Sequence, residues 1–301
     1  MTYRERERKK AISIRDSMFK DPGNGIFFGK ERDFVLNEPA LNLWEGIRED
    51  AKEYFKRNKI PWWKGDRYEP TGHLLSSQVA CLNHLYYLRH RKDLATAVLQ
   101  GIDSTIAEAV EVDEGYVEFE FIGEDNYLGE KSHTRGANST SIDAVMIGMD
   151  SSGRKKFFLI EWKYTEDYGF DNKYIAERAS VYDQLIKAEG SPFVDIQIET
   201  FYYEPFYQLM RQTLLGAKLV ENKDHGCVDY HHLHVIPKKN TELLNRVTSP
   251  YLKGDNITAA WKSTMKNPDK YQVVSPEELL SPCLDKQDCR SFMTYLSKRY
   301  W

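Results

Sequence analysis

Apolar positions along the chain change their period partway through. From Glu38-Pro39 to about Arg57, Leu41, Trp44, Ile47, Ala51 and Phe55 recur at three- and four-residue intervals, which predicts one helix closed by Pro61-Trp62-Trp63. The charged start, Met1 to about Lys10, shows no such period and is expected to fray in solvent. Ser76-Ser77 precede a second helix with Val79, Leu82, Leu85 and Tyr86 on its apolar face, and a third helical run covers Leu94 to Val110. After Gly115 the period becomes two. Tyr116 to Phe121 alternates strictly and predicts a half-buried strand. Ile142 to Ile147 and Phe157 to Trp162 are two further strands, joined through the turn signal Asp150-Ser151-Ser152-Gly153 as a hairpin. Asn172 to Ala188 and Glu204 to Val220 read as helices, and His231 to Ile236 as a strand ended by Pro237. Short helices follow, one with Ser275 as N-cap and Pro276 at its first position, and a last helix runs from Lys286 to Arg299. This order predicts an α/β protein with a mixed central sheet flanked by helices.

Composition adds a few exclusions. The 301 residues suffice for a full core without metal or disulfide staples. With 41% apolar and 29% charged residues the chain is not of a disordered or fibrous class. No run approaches the ~20 apolar residues of a membrane span, the N-terminus has no apolar signal region, and four scattered cysteines do not make a disulfide framework. An intracellular, cytoplasmic location is the expectation. Charge is uneven: residues 1–65 carry 15 basic and 11 acidic side chains, whereas residues 66–150 carry 6 and 15. The net charge of −4 argues against tight nonspecific nucleic-acid binding, but not against an enzyme that brings carboxylates and a cation to a phosphate.

The chemistry sits on the hairpin. Asp143 opens one strand, and Glu161 and Lys163 close the next. Antiparallel neighbours place the start of one strand beside the end of the other, and residues two apart share a face. The three side chains therefore converge, while Trp162 turns to the core and leaves its carbonyl on the strand. Two carboxylates and a carbonyl are the hard oxygen ligands that Mg²⁺ takes, with Mn²⁺ as a substitute. A cation there can polarise a phosphoryl oxygen and help activate a water. Lys163 would orient or deprotonate that water, or stabilise the phosphate charge. The tripeptide acid-x-Lys occurs five times, but only Glu161-Trp162-Lys163 follows an apolar run of four and has a strand-borne Asp on the preceding arm. The bland alternative is a salt-bridged strand end.

Asp143, then seventeen residues, then Glu161-Trp162-Lys163 resembles the PD-(D/E)xK nuclease superfamily, with Ile142 where the family pattern has proline. The wording Leu159-Ile160-Glu161-Trp162-Lys163-Tyr164-Thr165-Glu166 is similar to a bacterial group of restriction endonucleases, as are His73 to Gln78 and Tyr207 to Gln212. The resemblance covers about residues 70–240. It implies a restriction-endonuclease-like αβββαβ core, Mg²⁺-dependent cleavage of DNA, and a polar residue from the helix before the sheet, for which Gln78 is the candidate. Residues 1–65 and 241–301 are then N- and C-terminal helical elaborations around a core at 66–240, expected to form one compact domain.

Gln208, Arg211 and Gln212 form one polar stripe at i, i+3 and i+4, read as a DNA-contacting face or as an ordinary solvated one. His232 and His234 share a strand face near Cys227, but no paired-ligand spacing supports zinc, so they are expected to be structural. The reading is a Mg²⁺-dependent endodeoxyribonuclease of restriction type acting on double-stranded DNA, with a homodimer expected from the two-fold symmetry of duplex sites. The alternatives are a DNA- or protein-binding module on the same fold, or a nuclease on RNA or branched DNA.

Overall fold

The hairpin forms the middle of the sheet. In the computed structural model, which describes residues 1–21, 23–136 and 139–301, the elements in chain order begin with α1 (Tyr3–Phe19), β1 (Asn24–Phe27), β2 (Lys30–Leu36), α2 (Arg48–Arg57), α3 (Ser77–Leu85) and α4 (Lys92–Ile102). The strands β3 (Ile106–Val110), β4 (Glu118–Phe121), β5 (Ile142–Asp150) and β6 (Lys155–Trp162) follow. Next come α5 (Ala176–Lys187), α6 (Phe206–Glu221), β7 (Cys227–Val235), α7 (Thr241–Leu244) and α8 (Ile257–Lys262). The chain ends with β8 (Tyr271–Val274), α9 (Pro276–Leu279) and α10 (Arg290–Arg299). β1 and β2 form a separate hairpin. The main sheet runs β3-β5-β6-β7-β8, with β4 continuing the line of β3 along the same edge of β5. β5 is antiparallel to β3, β4 and β6, while β6, β7 and β8 are parallel.

Alternation along β5 and β6 divides the core into two layers. Ala144, Met146, Phe158, Ile160 and Trp162 face a cluster built with α2, α3, α4 and α10, which also takes in Tyr3 and Phe19 of α1. Val145, Ile147, Phe157 and Leu159 face the cluster under α5 and α6. This is the mixed α/β sheet flanked by helices that the periodicity predicts.

Several local expectations are corrected. The charged start is a capped helix: Thr2 accepts from the Glu5 amide and Glu5 returns a bond to the Thr2 amide. Its buried i, i+4 face is partly polar and internally bonded, with the Tyr164 hydroxyl donating to Glu7 at 2.9 Å and Arg15 to Asn24 at 2.6 Å. A hydropathy pattern cannot show such a face. The run from Glu38 is not one helix, since a short 3-10 turn (Pro39–Asn42) is separated from α2. Asn42 there donates to the carbonyls of Thr71 and His73, and Gly46 lies so close to the Trp44 ring that a Cβ would clash at 2.5 Å. The run to Val110 divides into α4 and β3, because the far half of β5 offers Ile106–Val110 a strand partner. β4 is buried at every position rather than at alternate ones. The β1–β2 hairpin and β8, both short, were absent from the sequence reading.

Candidate active site

Register brings three carboxylates into one row. Phe119 pairs with Ala144 and Phe121 with Ile142, so Glu120 lies opposite Asp143. One step beyond the Ala144–Ile160 pair, Asp143 meets Glu161, which is itself paired with His234 on β7. Both acid-bearing strands roll over at this row. Phe119 packs on one face of the sheet and Phe121 on the other, as do Ala144 and Ile142. The backbone of Glu120 is left-handed (φ 51°), a costly conformation for a residue with a Cβ and one found where surrounding structure enforces it.

Each member of the row is held. Asp143 accepts from the Trp162 amide at 2.7 Å. Glu120 accepts from Gln78 at 2.8 Å and from the Ser141 hydroxyl at 2.9 Å. Gln78 in turn is fixed by the Trp63 amide at 2.9 Å and the Pro61 carbonyl at 3.3 Å. Ser76 caps α3 and sets this glutamine in the helix's first turn, facing the sheet end. Glu161 is 1% exposed and meets Lys163 at 2.5 Å on one oxygen and Gln212 on the other. Lys163 also donates to Gln208 at 2.7 Å, and its amide bonds to the Val235 carbonyl. The row opens into a cavity of about 450 Å³ lined by Glu120, Asp143, Glu161, Lys163, Gln78 and Trp63, among others.

Electrostatics follow from burial. The Asp143 carboxyl is pushed well above the carboxylate range, by burial first and then by Glu161 and Glu120. Burial also raises Glu120, against the lowering bonds from Gln78 and Ser141. For Lys163 burial pulls the other way, but Glu161, Tyr168 and Asp143 outweigh it and hold the ammonium charged well above its ordinary value.

Every residue placed at the hairpin end by the sequence is here, and so is Gln78. Gln208 and Gln212 reach the site as holders of Lys163 and Glu161. Arg211 turns aside, stacked 4.8 Å over the Tyr207 ring in a neighbouring cavity. Glu120 was missed. The available signal was an acid on a strand-like segment directly ahead of the hairpin, but strict alternation had assigned it to solvent. His232 and His234 are buried beside α6 and β8, bonded to the Thr213 and Tyr271 hydroxyls and kept neutral by burial. Cys227 lies at the opposite end of β7 from His234, paired with Lys155. Among the described residues the metal-ligating types whose ligand atoms all lie within 4.8 Å of one another are Glu124, Asp224 and His225; the three acids of the row are in register but do not close to that distance.

A family model described as restriction endonuclease associating with ARP matches residues 13–301, and the chain belongs to that family. The match takes in nearly all of the N-terminal segment and the whole C-terminal one, so both are part of what the family shares. No curated protein and no solved structure matches. Among the described residues no helix is long and apolar enough to cross a membrane.

Proposed function

We propose that the chain is an endonuclease that hydrolyses DNA phosphodiester bonds with a divalent cation, Mg²⁺ or in its place Mn²⁺, at the Glu120–Asp143–Glu161 row. The observation that carries this reading is the row itself: three carboxylates in register on adjacent strands, with a lysine two residues along and an open cavity in front. The donor set fits the cation. It offers hard oxygens, and burial with mutual repulsion raises Asp143 and Glu120, the electrostatic signature of a site short of positive charge.

Asp143, Glu161 and the Trp162 carbonyl would hold the cation, with Glu120 facing it from the third strand. When bound, it supplies charge to the phosphoryl oxygen and a water of lowered pKa. The chain does the rest. Trp162 fixes one Asp143 oxygen through its amide, and Gln212 fixes one Glu161 oxygen. Lys163, held as an ammonium, positions the attacking water and meets the extra negative charge that develops on the phosphate. Gln208 keeps the ammonium at the cavity wall, and Gln78 orients Glu120. Gln208 lines the cavity that a DNA backbone would enter, whereas Arg211 faces the neighbouring one.

Restriction-type defence, with duplex DNA at the cut and a homodimer to cut both strands, is the biological setting that fits. The test is plasmid cleavage with and without Mg²⁺, run beside Lys163→Ala. Metal-dependent cutting that the variant loses supports the reading. Folded protein that cuts neither methylated nor unmethylated DNA moves the assignment to a binding module.

A further inference from the structure

The cavity at the carboxylate row is the first of three in series that share lining residues. Trp63 and Ser77 line both it and a neighbouring cavity of about 280 Å³. Arg4, His73 and Leu75 line that neighbour and a third of about 440 Å³, which lies between α1 and the β1–β2 hairpin. The far cavity is lined by Arg4, Arg8 and Arg32, and none of the three is in an ion pair among the described residues. Arg4 and Arg8 are one helical turn apart on α1 and share a face. The one carboxylate lining that cavity, Glu5, is engaged by the Thr2 amide.

Aromatic rings run along the same series. Phe27 lies 4.5 Å from Phe28 and 6.1 Å from Trp63, centroid to centroid, and the Arg8 guanidinium sits 3.8 Å over Phe34. Phe28 is 73% exposed and Trp63 46%. Phe28 and Gly29 both have positive φ (50° and 71°), the two-residue hairpin turn that favours Asn-Gly. A phenylalanine at the first of these positions is strained and mostly solvent-facing, in edge-on contact with Phe27 and with the Lys64 ammonium over its face at 4.9 Å. His73, which lines the two outer cavities, is pushed down to about 4, chiefly by burial and to a lesser extent by Arg4 and Arg8.

Alternating cations and exposed rings are what an unpaired nucleic-acid strand needs: phosphates for the guanidiniums and bases for the rings. We propose that this series of cavities holds a single-stranded segment of the DNA substrate adjoining the bond that is cut, with bases stacked on Trp63, Phe27 and Phe28 and phosphates on Arg4, Arg8 and Arg32. The favoured substrate is then a junction between duplex and unpaired strand. This deepens the nuclease reading and rests on it for the identity of the nucleic acid.

The test measures binding of the full chain in EDTA, by fluorescence anisotropy, to a blunt duplex of about 20 base pairs and to the same duplex with an unpaired tail of about eight nucleotides, within the site size of a stacking platform. The expected result is about tenfold tighter binding of the tailed DNA, since stacking a base on an aromatic side chain is worth on the order of 1–3 kcal/mol. The preference should weaken with salt. It should vanish in Phe28→Ala/Arg4→Ala, whose exposed positions leave thermal unfolding unchanged. Equal affinity of the wild type for both DNAs would overturn the proposal and leave the exposed tip as a protein-docking surface. A preference that survives the double variant would also overturn it, and tighter binding of an RNA tail would overturn the DNA assignment. Plasmid cleavage on the same preparation separates the two readings: tail preference without Mg²⁺-dependent cutting keeps the strand-binding cavities and removes the nuclease.

Discussion

Two clusters in this molecule gather metal-ligating side chains, and they differ in how their charge is balanced. In Glu120–Asp143–Glu161, three acids share Lys163 as their one close cation, and Asp143 and Glu120 are raised by burial. In Glu124–Asp224–His225, the Asp224 carboxyl is lowered: although burial opposes it, bonds from His225, the Glu124 amide and Tyr127 outweigh that. His225 is correspondingly raised, chiefly by its bond to Asp224. In the second cluster Asp224 and His225 balance each other at a turn, whereas the first is short of positive charge and opens into a cavity. Among the described residues the tighter approach of ligand atoms is in the second cluster, so proximity by itself does not mark a site. A deficit of positive charge at an open cavity is what marks a site for a cation.

The largest effect expected from breaking this contrast is on cleavage. Asp143→Asn should reduce Mg²⁺-dependent plasmid cutting by about a thousandfold, the several kcal/mol that a catalytic cation supplies, while Asp224→Asn leaves it unchanged. Next, Gln212→Ala removes the side chain that fixes Glu161. Cutting at limiting Mg²⁺ should fall by about 10- to 100-fold, as for other residues that orient a ligand, and recover in part with excess metal.

A third effect is on stability without metal. A carboxyl whose folded pKa is raised binds its proton more tightly in the folded chain, so its contribution is full at low pH and is lost as pH rises from the ordinary carboxylate range through the raised value. Metal-free Asp143→Asn should therefore melt above wild type at pH 8, with the gap closing towards pH 5. Mg²⁺ should raise the melting temperature of wild type but not of the variant. The smallest effect belongs to the second cluster. His225→Ala should lose a little stability where Asp224 is ionised and His225 protonated. The difference from wild type should fade as pH rises through the raised His225 value, and again as it falls through the lowered Asp224 value, with cutting unaffected.

Much of the carboxylate row could be read from the sequence because β5 and β6 are local. A four-residue turn joins them, and Asp143, Glu161 and Lys163 follow from the two-residue period. Gln78 came from the resemblance, which implies a polar residue on the helix before the sheet, and the Ser76 cap places it in that helix's first turn. Glu120 was not legible, since its role depends on a left-handed residue and on pairing with a strand more than twenty residues away, and neither leaves a periodic trace. The helix α1 escaped for a related reason: its buried face carries Glu7, bonded by the distant Tyr164, and Arg15, bonded to Asn24 and the Asp33 carbonyl in the hairpin that follows. β3 and β8 are strands because β5 and β7 offer them edges, a tertiary effect that overrides local propensity.

The most direct test is calorimetric titration of Mn²⁺ into wild type, Asp143→Asn and Asp224→Asn. The account predicts binding to wild type and Asp224→Asn and its loss in Asp143→Asn. Binding retained by Asp143→Asn and lost in Asp224→Asn would place the cation at the other cluster and contradict the assignment of the carboxylate row.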